Sequence, residues 1–271
     1  MAHDLSEERE ADMLEDISTT ARATALREFV CEETPIRPDD AVLSVGCGPG
    51  FEPAALAGRV GAGGRVHGVD ANGAVLARAR ERCADSPEVT FQRGDVTALP
   101  VTDGAFDLAV AKQVLQFVDD IERALAELHR VVGPGGRVAV VAGDRRTGVI
   151  HASDPERARR ANEIYRAARG DRHLGTRLRS LLPEAGFVVE DVVPRAAVRT
   201  GIDDQVERGI EVQRGFLEAS EAFGDAAVEA WERDLRELDA AGEFLSCSTA
   251  FLYVGRKPET ATTGPCPRER R

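Results

Sequence analysis

Three glycines and two acids carry the chemistry that can be read directly from this chain. The segment Val42-Leu43-Ser44-Val45-Gly46-Cys47-Gly48-Pro49-Gly50-Phe51-Glu52 runs from an apolar strand through a glycine-rich turn into a helical pattern. Glycines in such a turn admit positive φ and let a backbone approach a ligand closely. A turn at the carboxyl end of a first strand is where doubly wound sheets bind nucleotides. A dinucleotide fingerprint asks for Gly or Ala at its sixth position, and Phe51 stands there. The next apolar run ends His67-Gly68-Val69-Asp70, which puts an acid in place to accept both hydroxyls of a ribose. Gly94-Asp95-Val96 follows the third run, and a carboxylate there can accept from an adenine amino group. The combination suits recognition of a nucleoside and needs no phosphate cradle.

Regular alternation positions these residues. Apolar runs at 41–45, 65–69, 89–92, 106–111 and 136–142 are separated by helical patterns at 51–60, 73–84 and 119–132. Strands alternating with helices predict a parallel sheet covered on both faces, with right-handed crossovers. Upstream, Leu14, Ile17, Ala21, Ala25 and Phe29 recur at helical spacing, so 5–33 reads as a helix closed by Pro35 and Pro38. Downstream, 155–170 and 175–185 read as helices and 187–193 as a strand. Residues 203–241 read as helical and 248–255 as a last strand. Val228, Trp231, Leu235 and Leu238 form an apolar stripe, so Trp231 reads as core rather than ligand-binding. The tail 257–271 is rich in Pro, Thr and Arg and reads as disordered.

The chain resembles the class I methyltransferases, in particular the small-molecule group that includes the ubiquinone and menaquinone biosynthesis enzymes. Four stretches carry the resemblance in order: Val42 to Gly50, Val66 to Asp70, Gly94 to Pro100, and Phe106-Asp107-Leu108 onward through Val131-Val132-Gly133-Pro134-Gly135-Gly136-Arg137. It covers about 40–142, with weaker likeness beyond. It implies a Rossmann-like α/β fold: a mostly parallel seven-stranded sheet with helices on both faces, an antiparallel last strand and a helical cap. It implies S-adenosyl-L-methionine as cofactor and methyl transfer to a small molecule as the activity. Gly46, Gly48 and Gly50, with Cys47 between them, would pack on the methionine and ribose parts. Asp70, followed by Ala71, would hold the ribose hydroxyls, and Asp95 with the Val96 backbone the adenine. Lys112 and Gln113 would face the sulfonium end. The resemblance departs at Ser44, where the family usually has an acid near the cofactor's ammonium group. Two alternatives stand beside this reading: an NAD(P)-dependent oxidoreductase on a similar sheet, and an inactive nucleoside-binding regulator for which Ser44 is the support.

The implied organisation is a helical cap segment over 1–39, a methyltransferase domain over 40–256 with helical insertions at about 143–174 and 195–243, and the tail. Acceptor identity is expected to reside in the cap and insertions. No general base is identified by the pattern. Gln116, at a place where related enzymes sometimes have His, cannot take a full proton. His151, His173 and Tyr165 are the candidates in the cap, though such residues are more often at the surface or in packing. Arg145 and Arg146, beside Asp144 after the fifth strand, could hold an anionic acceptor, although a solvated loop is the plainer reading.

Composition narrows the partners. A net charge of −12 disfavours nucleic acid. No run approaches the roughly 18 apolar residues of a membrane span. The acidic start, Met1-Ala2-His3-Asp4, lacks a secretory layout, so a cytoplasmic location is expected. Five cysteines (Cys31, Cys47, Cys83, Cys247 and Cys266) without a CxxC pair argue against disulfide frameworks and cysteine-rich zinc sites. No metal site is expected. Only Lys112 and Lys257 are lysines, which fits a GC-rich genome or a salt-adapted cytoplasm.

Overall fold

A central parallel sheet forms because the first and fourth apolar runs are buried on both faces. The computed structural model describes residues 6–168 and 173–259, without the Arg145 and Ala168 side chains. Strand β1 (Ala41–Val45) is buried along its whole length, as a continuous apolar run in a parallel sheet requires. It lies between β2 (Arg65–Asp70) and β4 (Phe106–Lys112), parallel to both. Strand β3 (Val89–Arg93) adds outside β2, and β5 (Val132–Ile150) outside β4, again parallel. With β6 (Val188–Arg199) and β7 (Ser246–Arg256) the order is β3-β2-β1-β4-β5-β7-β6. Backbone bonds pair Gly135 and Gly136 with Lys257 at one end and His151 with Leu245 at the other, so β7 runs antiparallel to β5. The order reverses between β1 and β4, and ligands of such sheets bind at the carboxyl ends of that strand pair.

Helices α1 (Glu7–Thr19) and α2 (Ala21–Glu33) precede the sheet, while α3 (Phe51–Val60), α4 (Gly73–Arg82) and α5 (Ile121–Val131) connect its strands. Helices α6 (Pro155–Ala168), α7 (Leu174–Glu184), α8 (Asp204–Glu218) and α9 (Asp225–Ala240) follow. Contacts divide the chain into two compact units. The first contains 1–142, 177–193 and 252–271, and the second 143–176 and 194–251. The second unit has its own core, in which Trp231 is 2% exposed and packs with Ile210, Leu217, Phe223, Leu235 and Phe244. Trp231 is a packing residue, as its stripe predicts.

Several boundaries differ from the sequence reading. The single helix at 5–33 is two, because Thr20 stands in extended backbone and caps α2 by accepting from the Ala23 N–H. The helical 203–241 is also two, with a turn ahead of Gly224, whose φ is +72°. Strand β5 starts four residues early and passes Ala142, so 143–150 is strand rather than helical insertion. Thr147 Oγ1 there accepts from the Thr249 N–H at 3.1 Å. Likewise β6 extends to Arg199, so the insertion at 195–243 opens with strand. Gly133–Gly136 lies in a register shift within β5, with Gly135 at φ +74°. Lys257, read as the start of a disordered tail, is anchored: its ammonium donates to the carbonyls of His129 and Val132. Residues 1–5, 169–172 and 260–271, including Cys266, lie outside the described residues.

Candidate functional site

The glycine turn follows β1 with Gly46, Gly48 and Gly50 at φ of +60°, +57° and +89°. Their roles are not alike. A Cβ on Gly46 would fall 2.2 Å from Val114 Cγ2, and one on Gly50 would fall 2.8 Å from the Ala79 Cα of α4. Those two glycines let the turn pack against its own protein. A Cβ on Gly48 would meet nothing within 4 Å, so this glycine alone of the three presents its backbone to open space. Cys47 is buried and its N–H donates to the Val69 carbonyl, which ties the turn to β2. Burial, then the nearby Asp70, push its thiol far up, so its part is structural rather than nucleophilic.

Asp70 ends β2 beside that open backbone. Its Oδ2 accepts from the Gly48 N–H and its Oδ1 from the Asn72 N–H, both at 3.0 Å. Burial pushes the carboxyl above the usual range against those two bonds, and Glu10 pushes the same way. Each oxygen keeps capacity for a further donor, which is what a vicinal diol presents. Ala71 is exposed at the following position.

Asn72, missed by sequence reading, organises this end of the sheet. Its Oδ1 caps α4 by accepting from the Ala74 and Val75 N–H groups. Its Nδ2 donates to the Glu7 carbonyl and to Glu10 Oε2, which pins α1 onto the loop. An acid face of α1 completes the strap: Glu7 pairs with Arg93, Asp12 with Arg78, and Glu15 with Arg82. Arg82 also lies over the Phe51 ring, 3.5 Å from its centroid, and donates to the Pro49 carbonyl in the turn. An Asn before a helical run is a cap signal, but its second role depends on a helix more than sixty residues away.

Asp95 is exposed and occupied locally, since its Oδ1 accepts from the Thr97 N–H and hydroxyl at 2.7 and 2.6 Å. Those bonds hold its carboxyl below the usual range. The turn-forming use of Asp95 is therefore present, and Oδ2 is the atom left to face a ligand. Val96 is buried beside it. Gly94 is needed there because a Cβ would lie 2.5 Å from Pro100 Cδ.

At the end of β4, Lys112 meets an acid that sequence reading overlooked. Glu52, in the first turn of α3, is 5% exposed and accepts from the Ser44 hydroxyl at 2.9 Å through Oε1. Its Oε2 lies 3.6 Å from Lys112 Nζ. A carboxylate therefore sits beside Ser44, contributed by the helix rather than the strand. Gln113 adopts a left-handed conformation, φ +58°, with its N–H on the Val141 carbonyl. That backbone turns the chain sharply past the strand end. Gln116 lies in the 3₁₀ turn that follows, where Phe117 is 65% exposed.

The remaining candidates belong to the second unit. Asp144 is buried and takes two bonds from the Arg146 guanidinium and one from the Thr176 hydroxyl. Arg146 is thus paired with Asp144, although its side chain is 42% exposed. His173 has φ +42°, and its carbonyl accepts from Thr176. Tyr165 packs edge-on against Phe216, with centroids 5.8 Å apart. His151 lines an open cavity of about 630 Å³ with Ile150, Asn162 and Leu245. Among the described residues no cluster of His, Cys, Asp and Glu could hold a metal, and no helix is long and apolar enough to cross a membrane.

Residues 43–140 match the family model described as a methyltransferase domain. An uncharacterized 37.1 kDa transposon protein of Streptomyces fradiae is 33% identical over 256 residues, covering 91% of this chain and 71% of that protein. The 2-phytyl-1,4-naphtoquinone methyltransferase of Nostoc is 34% identical over 133 residues, covering 48% of this chain. The chain spans 58% of that enzyme's length. Among solved structures, the YcgJ protein of Bacillus subtilis superposes with a TM-score of 0.62 at 20% identity, covering 86% of this chain and 98% of that one.

Proposed function

The chain belongs to the class I S-adenosylmethionine-dependent methyltransferases, and from that premise we propose that it methylates a small, largely apolar organic acceptor such as a reduced quinone or similar ring. The observation that carries the nucleoside half of this reading is the Asp70 carboxylate, held by the Gly48 and Asn72 N–H groups beside the one open face of the glycine turn. The residues present suit the cofactor: Asp70 for the ribose hydroxyls, Gly48 for close backbone approach, and the Asp95–Val96 turn for the adenine edge. Support for an apolar acceptor comes from the quinone enzyme among the relatives and from the exposed Phe117 ring just beyond Lys112 and Gln113.

When bound, the cofactor supplies an electrophilic methyl on a sulfonium. The chain's task is to place the acceptor in line with it and to exclude water. Orientation of that kind is worth up to about 7–11 kcal/mol. The ion pair of Lys112 with Glu52 also matters here, because an unpaired ammonium at that strand end would repel a sulfonium.

Calorimetric titration with S-adenosylhomocysteine and with NADH tests this reading. Saturable binding of the first and none of the second is expected. Binding of NADH alone would return the chain to the oxidoreductase alternative. Methyl transfer from the cofactor to a panel of reduced naphthoquinones would then be followed by mass increase. A chain that binds the cofactor but methylates none of them would refute the acceptor class.

A further inference from the structure

Burying a carboxylate costs several kcal/mol unless partners satisfy it. The other buried acids of the chain are met by their own fold. Asp40 takes Arg137 at 2.7 Å and the Arg37 N–H, while Glu127 takes Arg130 at 2.7 Å and the Leu99 N–H. Asp144 takes Arg146 and Thr176, and Asp234 takes the Ser153 N–H. Glu52 differs. Ser44 satisfies Oε1, but Oε2 has no hydrogen bond. The nearest cation stands 3.6 Å away, well outside the 2.7–2.9 Å of a charge-assisted bond. Glu52 is the one acid among the described residues with a buried, unbonded oxygen.

Its position gives the deficit a meaning. Ser44 lies one residue from the end of β1, Lys112 ends β4, and Glu52 bridges them from the first turn of α3. This is the strand pair at which the sheet order reverses. A loose pair of opposite charges suits a ligand carrying the same two charges close together. An α-amino acid is such a ligand.

We propose that Glu52 and Lys112 together clasp the zwitterionic amino-acid end of the cofactor, the ammonium donating to Glu52 Oε2 and the carboxylate accepting from Lys112 Nζ. Ser44 is a positioning residue that holds Glu52 through Oε1. The acid expected at position 44 is thus supplied from helix α3. The proposal rests on the cofactor assigned above, and it removes the ground for reading the chain as inactive because of Ser44.

The test compares two ligands that share adenine, ribose and thioether, of which only one has the amino-acid end: S-adenosylhomocysteine and 5′-methylthioadenosine. Kd for each is measured by calorimetry on the full chain. Glu52→Gln is expected to weaken S-adenosylhomocysteine by about tenfold or more, the scale of one charge-assisted bond, and to leave methylthioadenosine within about twofold. Lys112→Met should show the same selectivity, and it serves as the second arm if circular dichroism shows Glu52→Gln unfolded. Ser44→Asp combined with Glu52→Gln should recover part of the lost affinity. Equal weakening of both ligands would mean that Glu52 merely shapes the turn, and no weakening would mean that it faces no ligand; either result overturns the proposal. If the unmodified chain binds methylthioadenosine and not S-adenosylhomocysteine, the clasp is refuted while nucleoside recognition stands. If it binds neither, the cofactor assignment itself falls.

Discussion

Two acids lie in strands of the same sheet, and they are held in opposite ways. Asp70 ends β2 and receives two backbone N–H bonds, and burial raises its affinity for a proton. Asp144, within β5, is grasped by Arg146 and by the Thr176 hydroxyl, and its carboxyl is held down to about 2. Asp144 is buried and Asp70 half-buried. The difference is what balances the charge. Asp144 has its counter-charge built in, so its electrostatic energy goes into the fold of the second unit. Asp70 has amide dipoles and no ion-pairing partner among the described residues, so part of its hydrogen-bonding capacity is left open. A buried acid already satisfied by cation and hydroxyl reads as structure, and a half-buried one held only by backbone amides beside an open glycine supports the proposed site.

The largest effect that could break this contrast is on binding. Asp70→Asn keeps the shape but removes the charge and one acceptor. It is expected to weaken S-adenosylhomocysteine by about 100-fold, two charged hydrogen bonds being worth that much or more. Thermal stability should hold or rise, because a half-buried charge without a counter-ion is gone. Calorimetry with a parallel melting curve reads both. Unchanged affinity, or a large fall in stability, would make Asp70 another structural acid.

Asp144→Asn should do the reverse. It leaves Arg146 facing a neutral amide, and the unfolding free energy is expected to fall by about 2 kcal/mol. S-adenosylhomocysteine affinity should stay within about twofold. Urea unfolding and the same titration decide it. A collapse of affinity without loss of stability would transfer Asp144 and Arg146 to the working part of the molecule.

Acid sharpens the comparison, because the two groups respond with opposite signs. A carboxyl depressed in the folded state contributes stability that is complete above its ordinary value and disappears as pH falls through the folded value. For Asp144 that window runs from its ordinary 3.8 down to about 2. A carboxyl raised in the folded state does the opposite: protonation favours the folded form as pH falls from the raised value towards 3.8. Protonated Asp70 can no longer accept both hydroxyls, so S-adenosylhomocysteine binding should weaken on acidification before Asp144-linked unfolding begins. Titrations stepped downward from neutral pH, with Asp70→Asn as control, would show it. A variant that retains the full acid-side loss of binding would place the titrating group elsewhere.

The sequence made the Asp70 region legible and left the Asp144 region opaque for a physical reason. Positive φ at Gly46, Gly48 and Gly50 leaves a local mark, since other residues seldom adopt it. Full burial of β1 leaves another, the run Ala41 to Val45, apolar but for Ser44. Asp70 is found by counting along such a strand. Glu52 leaves no mark of this kind. It looks like any acid in the first turn of a helix, and only the approach of Ser44 and Lys112 in three dimensions gives it an unusual environment. The long run of β5 past Ala142 was hidden in the same way, because Gly143-Asp144-Arg145-Arg146 has turn composition and its strand state depends on pairing with distant residues such as Thr249. Thr20 was legible in principle as a cap, but the apolar spacing that continues across it suggested one helix.

The smallest effect concerns how Asp70 is kept in place. Helix α1 reaches Asn72 through Glu7 and Glu10, and its hold on α4 and β3 is a row of ion pairs of which several are open to solvent. Charges of that sort are screened at high salt, whereas the Asp144 side chain, 1% exposed and bonded also to the Thr176 hydroxyl, is screened less. Between roughly 0.05 and 1 M salt, S-adenosylhomocysteine affinity should therefore drop by about twofold to fivefold, while the acid midpoint set by Asp144 barely moves. Replacing Glu7 and Asp12 together by Gln and Asn should reproduce the loss at low salt and flatten the salt response. The strong negative charge of the chain allows a competing outcome, in which salt relieves repulsion and affinity rises. A rise that persists in the double variant would show that α1 does not position the Asp70 loop, and that the acid's geometry comes from the Gly48 and Asn72 amides alone.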